Sequence, residues 1–184
     1  MKLFVYDPGT TTGLVTAEIR EGSAWMDDLR ATMELYHVKA PTEVLHVRKL
    51  WDMVVEFKPT HIVGEDFVLL PPTALKGRAH SSDRRGISPA RILLGMDLML
   101  SLSEDRMLDQ EMCEITLYVD DIVVERQMPG EKEVITDKYL RIQELWRTPK
   151  QIEGAVTGDS NHAMDALRHL IVYMRKTINR GGRS

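Results

Sequence analysis

The sequence predicts an α/β protein in which a mixed five-stranded sheet carries helices on both faces. Two observations lead to this prediction. The first 38 residues contain three strand-like segments, and the later segments alternate between helical and strand-like patterns of apolar residues. With 184 residues and 43% hydrophobic composition, the chain is long enough to bury one sizeable core. We therefore expect a single domain over residues 1–184.

The first three predicted strands precede any predicted helix. Residues 2–7 are rich in aromatic and β-branched side chains, and the Pro8-Gly9 pair ends this run sharply. Residues 13–19 resume a β-like composition, and a third strand is predicted within residues 31–38. Three successive strands predict an antiparallel meander.

Helices and strands alternate in the remainder of the chain. Each predicted helix has apolar residues at helical spacing, and each predicted strand is a short apolar run. The helices are predicted at residues 40–58, 88–102 and 136–146 and from residue 159 onward, and the strands at residues 61–67 and 115–124. Such an order predicts a mixed sheet with helices packed on its faces.

Basic residues are concentrated in two segments of an acidic chain. The formal net charge of -4, taken alone, argues against a nucleic-acid partner. Residues 76–91, however, contain five Lys or Arg and one Asp, within a predicted long loop at residues 69–87. After Asp165 there are five basic residues and no acid. Segregated charge allows a phosphate-binding face, and a solvated loop and tail are the alternative.

The composition predicts a cytoplasmic protein that does not enter a membrane. Cys113 is the only cysteine, which excludes an internal disulfide and fits a reducing compartment. Asp7 interrupts the first apolar run before the core of a signal peptide could form. No apolar stretch approaches the roughly 18 residues that a membrane span requires.

Two predicted strands end in acidic residues that can share one crevice. Asp7 lies where the first strand turns through Pro8-Gly9, and Glu65 ends a strand near the middle of the predicted sheet. An acid within an apolar strand opposes both strand propensity and burial, which favours a functional role for Glu65. Asp66 is an alternative candidate for the same role.

The final predicted helix adds a third side to this crevice. Asp159, His162, Asp165 and His169 follow spacings of three, three and four, which place them on or near one helix face. Each has a structural alternative, because Asp159 suits a helix cap and the two histidines suit half-buried helix positions. Asp7 likewise suits a turn in which it accepts backbone hydrogen bonds.

Clustered carboxylates predict a divalent-cation site. Like charges at short range resist simultaneous ionisation, and a bound cation removes that penalty. Hard carboxylate oxygens suit Mg²⁺ or Mn²⁺, and two such ions about 3.5 to 4 Å apart can activate water and stabilise the leaving oxygen in phosphodiester hydrolysis. We therefore predict a two-ion hydrolytic site around Asp7, Glu65 and Asp165.

Three segments occur in order across most of the chain: an apolar strand that ends in Asp7-Pro8-Gly9, a strand end at Glu65, and Asp165-Ala166-Leu167 in the last helix. Together they resemble the RuvC-type Holliday junction resolvases of the ribonuclease H-like superfamily. The resemblance implies that fold, with Asp7, Glu65 and Asp165 as catalytic metal ligands.

The sequence departs from this resemblance at His162, where many members have an acid. The position implies that His162 joins the catalytic and metal-binding set, with Asp159 as the alternative. Residues 127–132 also resemble a family segment that places a lysine near the scissile phosphate, which makes Lys132 a candidate phosphate contact.

The resemblance implies an endonuclease that resolves four-way or other branched DNA junctions by two-metal-ion hydrolysis. It further implies a homodimer with two active sites, located in a bacterial cell or a phage-infected host. The candidate substrate-binding residues are the basic side chains of the predicted loop together with the lysine of the 127–132 segment: Lys76, Arg78, Arg84, Arg85 and Lys132.

Other functions share parts of this pattern. A packaging-terminase nuclease or an RNA:DNA hybrid nuclease would keep the fold and change the substrate. A noncatalytic branched-DNA-binding module is disfavoured, because a protein that only binds phosphates gains nothing from clustered acids. Residues 7–13 also resemble the phosphate loop of actin-like ATPases and sugar kinases, but the chain lacks the second glycine-rich loop that those proteins need.

Overall fold

Six strands form one mixed sheet in the computed structural model, which describes residues 1–66, 89–104, 122–152 and 161–181. The strands are β1 (Lys2–Asp7), β2 (Thr12–Glu18), β3 (Glu34–Val38), β4 (His61–Glu65), β5 (Val123–Gln127) and β6 (Lys150–Ile152). Their order in the sheet is β5-β4-β1-β2-β3-β6. The β1, β2 and β3 strands pair antiparallel, whereas β4 is parallel to β1, β5 to β4, and β6 to β3.

Five α-helices and one short 3-10 helix accompany the sheet in the described part of the chain. The α-helices are α1 (Trp25–Thr32), α2 (Glu43–Phe57), α3 (Pro89–Glu104), α4 (Asp137–Ile142) and α5 (His162–Gly181), and the 3-10 helix spans Pro129–Val134. The start of α2 is capped by the side chain of Thr42, which accepts a hydrogen bond from the Leu45 amide. Its end is the left-handed residue Lys58, which is followed by Pro59.

The strand β1 divides the interior into two cores, because successive side chains of a strand point to opposite faces. Leu3 and Val5 pack in one core with buried residues of α1, α4 and α5. Phe4 and Tyr6 pack in the other core with buried residues of α2 and α3. Helices therefore cover both faces of a mixed sheet, which confirms the predicted fold class.

Two elements that the sequence analysis missed change the predicted count and order. The predicted five strands are six, because the three residues of β6 pair with β3 although they are too short and polar to show an apolar pattern. Helix α1 lies between β2 and β3, so the first three strands do not follow one another directly. Helix α1 has only eight residues, of which Asp28 and Leu29 are buried, so it offers few positions from which a helical repeat can be recognised.

Several predicted boundaries also shift. The strand predicted at residues 115–124 is described only from residue 122, and β5 continues to Gln127 through polar residues that pair with β4. The helix predicted at residues 136–146 is the shorter α4. The predicted loop at residues 69–87 lies outside the described residues, and so does the predicted start of the last helix at Asp159. No helix in the described ranges combines the length and apolarity needed to cross a bilayer.

Candidate active site

Three neighbouring parallel strands end at the same edge of the sheet, and each ends in a polar residue. Asp7 is the last residue of β1, Glu65 of β4 and Gln127 of β5. Glu65 pairs with Gln127 in the ladder, and Asp7 follows directly after Tyr6, which pairs with Gly64. By strand alternation, Asp7 shares the face of Leu3 and Val5, on which α5 packs.

Helix α5 approaches β2 so closely that only a glycine fits at position 13. A Cβ atom on Gly13 would lie 1.9 Å from the carbonyl oxygen of His162. Gly13 is also the partner of Asp7 in the ladder between β1 and β2. The first turn of α5 therefore lies on the backbone beside Asp7, which brings His162 and Asp165 toward the strand ends.

Lys132 of the 3-10 helix lies at the centre of the three acids. Its Nζ atom is 2.6 Å from Oε2 of Glu65, 3.4 Å from Oδ2 of Asp165 and 3.7 Å from Oδ1 of Asp7. The Lys132 side chain is only 17% exposed. The structure thus brings three carboxylates from β1, β4 and α5 around one ammonium group.

Burial and neighbouring groups shift the pKa values of Asp7 and Glu65 in opposite directions. Burial raises the pKa of Asp7, and the nearby Glu65 raises it further against the opposing effects of His162 and Lys132. Burial also opposes ionisation of Glu65, but hydrogen bonds from His169 and Lys132 outweigh it and lower the pKa of Glu65 to about 2. Glu65 is therefore ionised at neutral pH, and an additional cation would favour the charged form of Asp7.

Basic side chains also contact Asp7 and Asp165 from α5. Nδ1 of His162 is 3.2 Å from Oδ2 of Asp7, and this hydrogen bond raises the pKa of His162. Arg168 donates to Asp165 and to Asp137 of α4. Each of the three acids therefore has at least one basic neighbour in addition to Lys132.

The oxygen atoms of the cluster are of the chemical type that a hard divalent cation binds, and an ammonium group lies among them. No three His, Cys, Asp or Glu side chains within the described ranges form a preformed metal site. Instead, carboxylate oxygens from three residues surround Nζ of Lys132. Carboxylate oxygens are the ligands that Mg²⁺ and Mn²⁺ prefer, so the three acids fit such an ion in chemical type.

The structure brings most of the predicted residues together. Asp7, Glu65, His162 and Asp165 lie in one cluster with Lys132. Their catalytic and metal-binding roles stay predictions, as does the phosphate contact of Lys132. Some candidates lie outside the described residues, namely Lys76, Arg78, Arg84, Arg85 and Asp159.

Three residues of the cluster are not among the predicted catalytic, metal-binding or substrate-binding residues. The sequence places His169 on the helix face that borders the crevice, with a half-buried helix position as the alternative; in the structure it is fully buried and its Nε2 atom is 2.6 Å from Oε2 of Glu65. The sequence signal for His169 was its place four residues after Asp165 on the same helix face. Gln127 has no comparable signal, because its contact with His169 joins two different elements. Arg168 lies three residues after Asp165 on α5, a spacing that is compatible with their ion pair.

Comparison of the structure with solved proteins identifies the fold. Thermus thermophilus RuvC in complex with a Holliday junction substrate shares 14% sequence identity with this chain, with a TM-score of 0.51 and coverage of 96% of each chain. The chain has the ribonuclease H-like fold of RuvC. A second Thermus thermophilus RuvC structure aligns over 96% of this chain and 97% of its own at 14% identity and a TM-score of 0.49.

Comparison of the sequence alone identifies no related protein. No protein-family model matches the chain, and no curated protein matches it in sequence. The resemblance to RuvC that the three motifs predicted is confirmed at the level of the fold. A shared fold does not by itself specify an activity, so function has to be argued from the acid cluster.

Proposed function

We propose that this protein is a metal-dependent endonuclease that cleaves four-way or other branched DNA junctions. The observation that carries the proposal is the convergence of Asp7, Glu65 and Asp165 on one cationic centre. A cluster of three acids would be costly in a protein that only binds phosphates. The RuvC fold adds support, since one RuvC structure with this fold holds a Holliday junction substrate.

The proposed mechanism assigns the three carboxylates to divalent cations. Asp7, Glu65 and Asp165 would hold Mg²⁺ or Mn²⁺, with His162 beside Asp7 as an additional contact. Bound in this way, the ions would supply water activation and stabilisation of the leaving oxygen. The protein itself would contribute by bringing these acids together at the ends of the strands and by balancing their charge.

Lys132 has two successive roles in this proposal. In the metal-free protein its ammonium group neutralises part of the charge of the acids. Once cations take over that role, the same group can contact a phosphate oxygen of the DNA. The 3-10 helix that carries Lys132 is joined to α5 by the ion pair between Glu131 and Lys176, which keeps the lysine near the cluster.

Replacing Lys132 tests the charge balance without a substrate. We expect Lys132→Met to lower the free energy of unfolding by about 2 kcal/mol in EDTA, because the buried acids lose their counter-ion. This loss is smaller than the loss expected on breaking a fully buried ion pair, since the ammonium group of Lys132 is partly solvated. Excess Mg²⁺ should remove most of the difference, because ions that bind the folded state stabilise it. Urea unfolding in EDTA and in Mg²⁺ measures both effects.

Lys138→Met is the matched control for this experiment, because Lys138 is an exposed residue of α4. Its unfolding free energy should differ from that of the wild type by less than about 0.5 kcal/mol in both buffers. An equally small effect of Lys132→Met in EDTA would contradict the role of Lys132 as counter-ion.

Cleavage of matched DNA substrates tests the proposed activity. The wild-type protein with Mg²⁺ should nick a synthetic four-way junction symmetrically, as expected for a homodimer with two active sites. Linear duplex DNA and an RNA:DNA hybrid of the same sequence should be cut far more slowly. Equal cutting of junction and duplex would overturn the junction selectivity, and preference for the hybrid would identify a hybrid nuclease. A lack of cutting of all three substrates in Mg²⁺ and in Mn²⁺ would overturn the nuclease proposal.

A further inference from the structure

Two buried side chains, His169 and Gln127, lie in line behind Glu65 of the acid cluster. Nδ1 of His169 is 2.8 Å from Oε1 of Gln127, and Nε2 of His169 is 2.6 Å from Oε2 of Glu65. Both His169 and Gln127 have no solvent exposure. His169 is thus shielded from solvent, and its polar link to the acid cluster runs through Glu65.

The direction of the hydrogen bond between His169 and Glu65 follows from the charge of the carboxylate. An ionised carboxylate only accepts hydrogen bonds, so Nε2 of His169 must carry the proton and donate it. Nδ1 faces the amide of Gln127, which can accept or donate according to its orientation. The Gln127 amide nitrogen has no hydrogen-bond partner among the described residues, so His169 is the partner seen for this buried amide.

Both strong bonds of Glu65 fall on the same oxygen. Oε2 accepts from Nε2 of His169 and from Nζ of Lys132. Lys132 has a flexible stem and a partly solvated ammonium group, whereas the ring of His169 is enclosed in the core. His169 is therefore the more enclosed of the two contacts with Oε2, and neither of these two hydrogen bonds uses Oε1.

We propose that His169, held by Gln127, is a positioning residue that fixes the carboxylate of Glu65 for divalent-cation binding. The proposal rests on the proposed function, since it assumes that Glu65 is a metal ligand. Hydrogen-bond partners of metal ligands orient them, and loss of such a partner typically weakens metal binding by about 10- to 100-fold. A buried pair that serves only packing would instead affect folding and leave cation affinity unchanged.

Mn²⁺ affinity of the intact protein distinguishes these two roles. The dissociation constant is measured without DNA from the electron paramagnetic resonance signal of free Mn²⁺. His169→Leu removes the donor and should weaken binding by about 10- to 100-fold. His169→Gln keeps an amide donor that can reach Glu65, and its affinity should stay within about threefold of the wild type. Unchanged affinity in folded His169→Leu would overturn the proposal, as would equal losses in both variants.

A second variant keeps the proposal testable where His169→Leu does not fold. Gln127→Met removes the amide that orients the imidazole ring but leaves the His169 donor in place. It should weaken Mn²⁺ binding by about 3- to 10-fold, which is less than the effect of losing the donor itself. His61→Leu is the control, because His61 lies on the same strand as Glu65 but four residues away. Unchanged affinity in folded Gln127→Met would overturn the proposal.

Failure of the positioning role of His169 can be distinguished from failure of the proposed nuclease activity. Wild-type protein that binds Mn²⁺ but cuts no DNA would contradict the nuclease alone. Conversely, a wild-type protein that nicks junctions, together with folded His169→Leu and Gln127→Met variants of unchanged Mn²⁺ affinity, would contradict the positioning role alone.

Discussion

Asp7→Asn is expected to abolish Mg²⁺-dependent nicking of a four-way junction, with a loss of roughly 10³-fold or more in rate. Asp7 is the most buried of the three acids, and it faces both Lys132 and His162. The amide keeps the size of the side chain but removes the negative charge that a divalent cation requires. Single-turnover cleavage of a labelled junction measures the rate.

The same variant should fold and bind DNA. Because burial and Glu65 raise the pKa of Asp7, a neutral side chain at this position removes an unfavourable buried charge. The midpoint of thermal unfolding should therefore be equal to or above that of the wild type in EDTA, and junction binding should stay measurable by gel shift.

Asp52→Asn is the matched control, because it makes the same chemical change at an exposed position of α2. It should cleave at the wild-type rate. Wild-type cleavage by Asp7→Asn would show that the cluster around Lys132 is not the active site, whatever activity the protein has.

Gly13→Ala is expected to destabilise the fold by about 3 kcal/mol, at the upper end of the cost of overpacking a core. A Cβ at Gly13 would lie 1.9 Å from the His162 carbonyl oxygen and 2.5 Å from the Ala163 amide nitrogen. Both contacts are with backbone atoms, which cannot move aside as a flexible side chain can. Helix α5 would have to shift away from β2, and urea unfolding would record the loss.

A shift of α5 should also affect cation binding, since His162 and Asp165 move with the helix. We expect the Gly13→Ala variant to bind Mn²⁺ more weakly than the wild type at temperatures where it is folded. The control is Gly130→Ala, because a Cβ at Gly130 would meet no heavy atom within 4 Å. Its stability should change by less than about 0.5 kcal/mol. A Gly13→Ala variant as stable as this control would show that α5 does not press on β2 as described.

Local patterns were sufficient to predict the main elements that carry the acids. The apolar run before Pro8-Gly9 predicted the strand that ends at Asp7, and the run around Val63 predicted the strand that ends at Glu65. Such patterns are local because strand alternation and chain-breaking residues act over a few positions. The elements they missed, α1 and β6, have eight and three residues, so each offers few positions from which a repeat can be recognised.

The sequence by itself indicated that Asp7 and Glu65 lie at or near strand ends and that Asp165 and His169 share one face of α5, because chain-breaking residues and the helical repeat act within one element. Only the tertiary structure shows that Nζ of Lys132 lies among the three acids and that Nε2 of His169 contacts Glu65. These contacts join residues 67 and 104 positions apart. They depend on how α5 and the 3-10 helix pack on the sheet, which no local periodicity specifies.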